Sequence, residues 1–136
     1  MKPFLFSVLV LTLAAGCDST TEPSEYTDAV FTLQDAVLPA GSGVTNMTPS
    51  TITFTPDGSI SVDSCNDCDG TYSWDGNLLE LDGLGCTEKA CGDRLDLGVW
   101  LEADRIVVSD SDEDEVTLVS ERDGEIATFL FSVAER

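Results

Sequence analysis

The sequence predicts a mainly β domain, a small antiparallel barrel or sandwich of about eight short strands with at most one short helix; an α+β arrangement is the alternative. Two observations carry this. Most of the chain beyond residue 27 alternates apolar and polar residues, the period-two pattern of a strand with one buried face. Asp-Gly pairs, among the strongest short hairpin signals, recur between the alternating segments at Asp57-Gly58, Asp75-Gly76 and Asp123-Gly124.

In chain order, residues 29–33 begin the sheet. Residues 51–55 set Ile52 and Phe54 on one face, Pro56-Asp57-Gly58 turns the chain, and residues 59–63 return with Ile60 and Val62 aligned. Residues 71–74 and 78–81 form the next hairpin around Asp75-Gly76-Asn77, residues 105–109 add a strand, and Asp123-Gly124 joins 116–119 to 126–133. Residues 87–103 are ambiguous: Leu95, Leu97, Val99 and Leu101 alternate as in a strand, whereas Leu97, Trp100 and Leu101 would share a helical face. Gly92 and Gly98 each disfavour a helix by up to about 1 kcal/mol. Trp74 and Trp100 are expected in the core.

The amino end has a different character. Lys2 is followed by an uncharged, mostly apolar run over residues 4–15, the pattern of a secretory signal peptide. The run is shorter than the roughly 20 residues a membrane-spanning helix needs. Leu13-Ala14-Ala15-Gly16-Cys17 resembles the lipobox of bacterial lipoproteins, although Ala14 stands where leucine is more usual. The resemblance implies cleavage after Gly16 and acylation of Cys17, with ordinary signal-peptidase cleavage as the alternative. Residues 18–26, rich in Ser, Thr, Pro and acid, read as a tether. The expected organisation is therefore a signal peptide over 1–16, a lipidated cysteine and tether over 17–26, and one domain over 27–136. The expected location is the cell envelope, with the domain in the periplasm or at the cell surface. Asp18 resembles an inner-membrane retention signal of enteric bacteria, a rule that does not transfer across phyla, so the choice of membrane stays open.

Composition excludes several partners. The chain carries 26 acidic residues against 6 basic ones and no histidine, a net charge of −20. Nothing here can neutralise a phosphate backbone, so nucleic acid is not a partner, and attraction to anionic lipid surfaces is ruled out on the same ground. The acid surplus fits either plain solubility or a salt-rich habitat; Lys89 is the only lysine beyond Lys2.

Cys17 belongs to the lipobox, which leaves Cys65, Cys68, Cys86 and Cys91. An even set in a small exported domain reads as a disulfide framework with three possible connectivities. A zinc site fits less well, because the second pair is spaced by four residues in an oxidising compartment. Redox chemistry fits poorly too, since Asp63, Asp67 and Asp69 would raise a neighbouring thiol's pKa.

Catalysis finds little material. Without histidine there is no Ser-His-Asp or Cys-His arrangement, and a Ser–Lys pair would have to use Lys89, beside the cysteines. Carboxylates at this density satisfy almost any spacing by chance, so no glycosidase pair stands out. Asp63, Asn66, Asp67 and Asp69 form a weak calcium candidate. Asp110, Asp112, Glu113, Asp114 and Glu115 read as a solvated turn between strands. No cofactor is expected.

Several central segments, taken in order, carry a resemblance: residues 52–60, Ser64-Cys65-Asn66, Gly70-Thr71-Tyr72, residues 78–81, and Thr87-Glu88-Lys89-Ala90-Cys91. Together they are similar to the META domain of HslJ-like bacterial lipoproteins over about residues 28–132. Phe31-Thr32-Leu33 stands where that family has Trp-x-Leu. The resemblance implies the short helix after Cys91, and a pairing of Cys65 with Cys91 that leaves Cys68 and Cys86 as a nested bridge. It also implies a non-enzymatic envelope lipoprotein, tied to the membrane by its lipid and serving stress tolerance or envelope maintenance through protein contacts. The alternative is a secreted small-ligand carrier of lipocalin type, or a module that inhibits a hydrolase. An apolar cavity inside the barrel would mark the carrier and a rigid protruding loop the inhibitor.

Closing a loop of this size stabilises a domain by about 3 kcal/mol. Reduction is expected to lower the melting temperature by on the order of 15 °C, and non-reducing peptide mapping to recover Cys65–Cys91 and Cys68–Cys86; a Cys65–Cys68 peptide would exclude this pairing.

Overall fold

The computed structural model describes residues 26–136. The expected signal peptide, Cys17 and residues 18–25 of the tether lie outside the described residues. Strands β1 (Ala29–Val37), β2 (Thr51–Phe54), β3 (Ser59–Asp63), β4 (Asp67–Asp75), β5 (Leu78–Cys86), β6 (Arg105–Ser111), β7 (Glu115–Arg122) and β8 (Glu125–Glu135) follow one another around a closed antiparallel barrel. Each strand pairs with its sequence neighbour, and β8 closes on β1. The fold is mainly β; one short helix, α1 (Leu97–Leu101), interrupts the meander between β5 and β6.

The alternating pattern sets which side chains enter the barrel. Ile52 and Phe54 of β2 and Ile60 and Val62 of β3 are buried, as are Val116 and Leu118 of β7 and Phe129 and Phe131 of β8. Eight strands leave an interior that side chains alone can fill. Asp123 and Gly124 both take the left-handed conformation, with φ 50° and 79°, as the two-residue turn matching the strand twist requires.

Both ends of the barrel are plugged, by different means. At the end where the described chain enters, Phe31 packs against Tyr26 and Phe54, with ring centroids 5.1 and 4.9 Å apart. Tyr72 and Trp74 complete the group, 4.9 and 5.7 Å from Phe54, and the Tyr72 hydroxyl reaches Thr55 O at 2.8 Å. The opposite end is closed by Leu95, Leu97 and Leu101, all buried. Trp74 and Trp100 are half-buried against the core rather than inside it.

The strands run further than the alternation alone marks. β4 begins at Asp67 rather than 71 and β5 continues to Cys86 rather than 81. Between them the register shifts, with Asp69 opposite Gly85 but Thr71 opposite Asp82. At that bulge a Cβ on Gly70 would lie 3.1 Å from Asp82 O and Leu84 Cα. Extra residues at the bulge break the period-two signal, which is why the sequence pattern stops short.

Candidate functional site

The long connections gather at the end opposite Tyr26, and there the sequence's most chemical residues meet. Cys65 is joined to Cys91 and Cys68 to Cys86, the two pairs that the family resemblance implies. The second cystine lies directly across β4 and β5. The first ties the β3–β4 turn to the segment that leads into α1.

Asn66, between the two cystines, organises this segment and is 5% exposed. Its Oδ1 accepts from the Lys89 backbone N–H at 2.6 Å and from Thr87 Oγ1 at 3.0 Å. Its Nδ2 donates to Asp96 Oδ2 at 2.7 Å and to Lys89 O at 3.2 Å. The side chain thus supplies an inner frame for residues 87–96, which carry no strand or helix of their own. The Asp67 N–H donates to Thr87 Oγ1 at 3.1 Å and extends that frame.

The helix is held by three sets of contacts. Ser64 Oγ accepts the Leu97 N–H at 3.0 Å and lies 2.8 Å from Ser50 Oγ. On the far side, Ser120 Oγ donates to Trp100 O and Arg122 Nη1 to Val99 O at 3.1 Å, fastening α1 to β7. The third contact needs a glycine: a Cβ at position 98 would stand 2.5 Å from Cys68 Sγ and 3.2 Å from Cys86 Sγ. Gly98, which counts against a helix by propensity, is what lets the helix rest on the cystine.

The β1–β2 connection closes over the same end. The backbone N–H groups of Thr45 and Asn46 donate to Asp93 O, and Leu95 N–H donates to Asn46 O at 2.8 Å. The Asp93 carboxylate accepts from Thr45 Oγ1 at 2.6 Å and Asn46 Nδ2 at 3.2 Å. The Thr45 hydrogen bond, then that of Asn46, holds the Asp93 carboxyl below its ordinary pKa.

The weak calcium candidate is not assembled as a site. Asp63 faces Asp67 across the β3–β4 ladder and Asp69 faces Ser61, all three exposed. Asn66 is buried, with both ends of its amide engaged. Among the described residues no group of three or more acidic, cysteine or histidine side chains is placed to hold a metal ion. In the acidic run Asp112 serves the turn, its Oδ1 accepting the Asp114 and Glu115 N–H groups at 3.0 Å.

Two hollows adjoin at Glu102 on the barrel wall. One, of about 510 Å³, lies between β5 and the start of β6 and includes Leu81, Leu84, Leu101 and Asp104 in its lining. The other, of about 380 Å³, lies between the end of β5 and α1 and includes Cys86, Glu88, Asp96 and Gly98. One oxygen of Asp96, Oδ1, is buried without a hydrogen-bond partner among the described residues. Sequence reasoning missed this place, because its two walls are more than ten positions apart in the chain.

The fold and this end together define a class: a plugged eight-strand meander barrel whose helical cap is stapled by nested cystines. The META domain family model matches residues 24–129, and the chain belongs to that family. No curated protein matches the sequence. Among solved structures, the chain resembles the NMR structure of a protein from Burkholderia xenovorans at 23% identity and a TM-score of 0.55. That likeness covers 83% of this chain and 87% of the other, and it concerns the fold.

Two outcomes follow from the cap. Asn66→Ala removes a buried side chain whose amide holds the Lys89 N–H and the half-buried Asp96 carboxylate, and is expected to cost about 2 kcal/mol in chemical denaturation with both cystines intact. By NMR titration, Asp93 is expected to ionise below 3.8, with its midpoint rising toward 3.8 in Thr45→Val. Because the folded-state value is the lower one, the clamp's contribution is present above 3.8 and fades as pH falls through the folded value.

Proposed function

We propose that the chain is a membrane-anchored envelope lipoprotein whose META barrel works through protein contacts, in stress tolerance or envelope maintenance, and not by catalysis. The observation that carries the reading is the filled interior. Phe31, Phe54, Phe129 and Phe131 are at most 1% exposed inside the barrel. A lipocalin-like carrier keeps a cavity there instead, so the small-ligand reading loses its main support. The inhibitor reading is weakened as well, because the β1–β2 connection is pinned to Asp93 rather than held out from the domain.

The sequence supports the remaining elements of the proposal. The lipobox-like residues 13–17 supply Cys17 for acylation, and two or three acyl chains hold a protein to a bilayer far more firmly than one. The absence of histidine from the whole chain removes the commonest general base. In this reading the tether joins the barrel at Tyr26, at the aromatic end. The cystine-stapled cap then points away from the membrane, toward partners.

Mass spectrometry of the full chain expressed in a bacterial host tests the anchor. The expected mature N-terminus is Cys17 carrying a diacylglyceryl group, and Cys17→Ala is expected to move the protein from the detergent phase to the aqueous phase. An unacylated mature N-terminus, or unchanged partitioning of Cys17→Ala, would overturn it.

A further inference from the structure

β5 is paired along its whole length on one side and along only a short part on the other. Its partner β4 follows it from Asp75–Leu78 to Cys68–Cys86. Its partner β6 matches it only at Leu78–Val107 and Leu79–Ile106. Continued in the same register, Leu81 would face Asp104 and Leu84 would face Leu101. At those positions the incoming chain is instead the helix and the bend that follows it. The helix cannot fill the gap, because Ser120 and Arg122 hold it toward β7 and Gly98 holds it on the cystine.

The direction of the unpaired backbone follows from the ladder. The two-residue turn makes Asp75 and Leu78 a hydrogen-bonded pair, so backbone groups of Glu80 and Asp82 address β4 and those of Leu81 address the gap. Val108 N–H donating to Asn77 O at 2.8 Å obeys the same alternation. At the far end, Thr87 N–H donates to Asp67 O at 2.9 Å, which turns Cys86 outward in the same way. An extended edge of this kind is a template for an added strand.

The walls of the gap say what that strand carries. Leu81, Leu84 and Leu101 form apolar ground, and Glu80, Glu88, Asp96, Glu102 and Asp104 stand around it against one base, Arg105. Asp96, half-buried, and the exposed Glu88 and Glu102 line the second hollow, and a cationic side chain entering it would meet carboxylates on both walls. A second copy of this chain would bring the same acidic edge and a net charge of the same sign.

We propose that the β5 edge from Leu81 to Cys86, with the two hollows beside it, receives an extended segment of a partner protein that alternates apolar with lysine or arginine residues and pairs as an added strand. This rests on the reading that the barrel works through protein contacts, and it is independent of the lipid anchor.

The probe is a synthetic peptide alternating lysine with valine, about six residues long to match the free edge, added to the full chain in neutral detergent. Hydrogen exchange is expected to slow at the Leu81 and Cys86 amides, and a glutamate–valine peptide is expected to leave them unchanged. Glu102→Lys combined with Glu88→Lys, both exposed positions, is expected to weaken binding about tenfold, with a smaller salt dependence. Leu81→Pro removes the outward donor and is expected to abolish binding; should it unfold the barrel, the charge variants still decide. No binding, protection elsewhere on the barrel, or protection of β5 by self-association without peptide would each overturn the proposal. Loss of acylation at Cys17 would overturn the anchor while leaving this result untouched.

Discussion

A side chain at position 98 would overlap the Cys68 sulfur, so the helix can lie on the cystine only through glycine's bare Cα. That close approach fixes the height of α1 over the barrel mouth. It also sets the burial of Leu97 and Leu101, which plug the mouth from above. The Cys68–Cys86 bridge in turn needs β4 and β5 to remain paired past their bulge, where Gly70 leaves room for the Asp82–Leu84 backbone. Two glycines and one cystine therefore determine where the cap sits. Asn66 then holds the approach to it by hydrogen bonds rather than by packing.

Seating the helix there has a consequence for the barrel wall. The chain that would extend β6 alongside β5 is used to make α1 and its return, so ladder pairing between these strands ends after Leu79. Barrels remove exposed edges by closing, and around this one the ladder on β5 stops short beside the cap. The acids along that stretch discourage pairing between identical chains, as charged residues do on natural edge strands. The same charge selects for a cationic segment.

The acidic surface contributes little cohesion of its own. Among the described residues two ion pairs occur, Arg122–Asp123 at 4.0 Å and Arg136–Asp28 at 3.5 Å, and exposed pairs of this kind stabilise by at most about 1 kcal/mol. Several carboxylates act instead as local hydrogen-bond acceptors. Asp57 accepts from Thr55 and from the Ser59 N–H in the β2–β3 turn, and Asp93 from Thr45 and Asn46, which lowers the pKa of both; Asp112 accepts the Asp114 N–H in its turn. Cohesion comes from the apolar interior and the two cystines, which hold a domain with an acid-rich surface together.

By itself the sequence determined the strand sequence of the barrel and its turns. Alternation reports directly which residues of a strand face inward, and Asp123-Gly124 meets the left-handed geometry of its turn without reference to anything distant. The Cys-Asn and Ala-Cys segments carried the family, and through it the cystine pairing. What only the tertiary structure decided depends on residues 18 to 33 positions apart. Asn66, legible as an acid-flanked polar residue and weighed as a calcium ligand, turns inward because Thr87, Lys89 and Asp96 return to it. Residues 92–103 resolve into a five-residue helix because a cystine and Ser64 wait beneath it. The open edge of β5 leaves no local mark at all, since a strand's periodicity records which face is buried and is silent about whether a neighbour lies alongside.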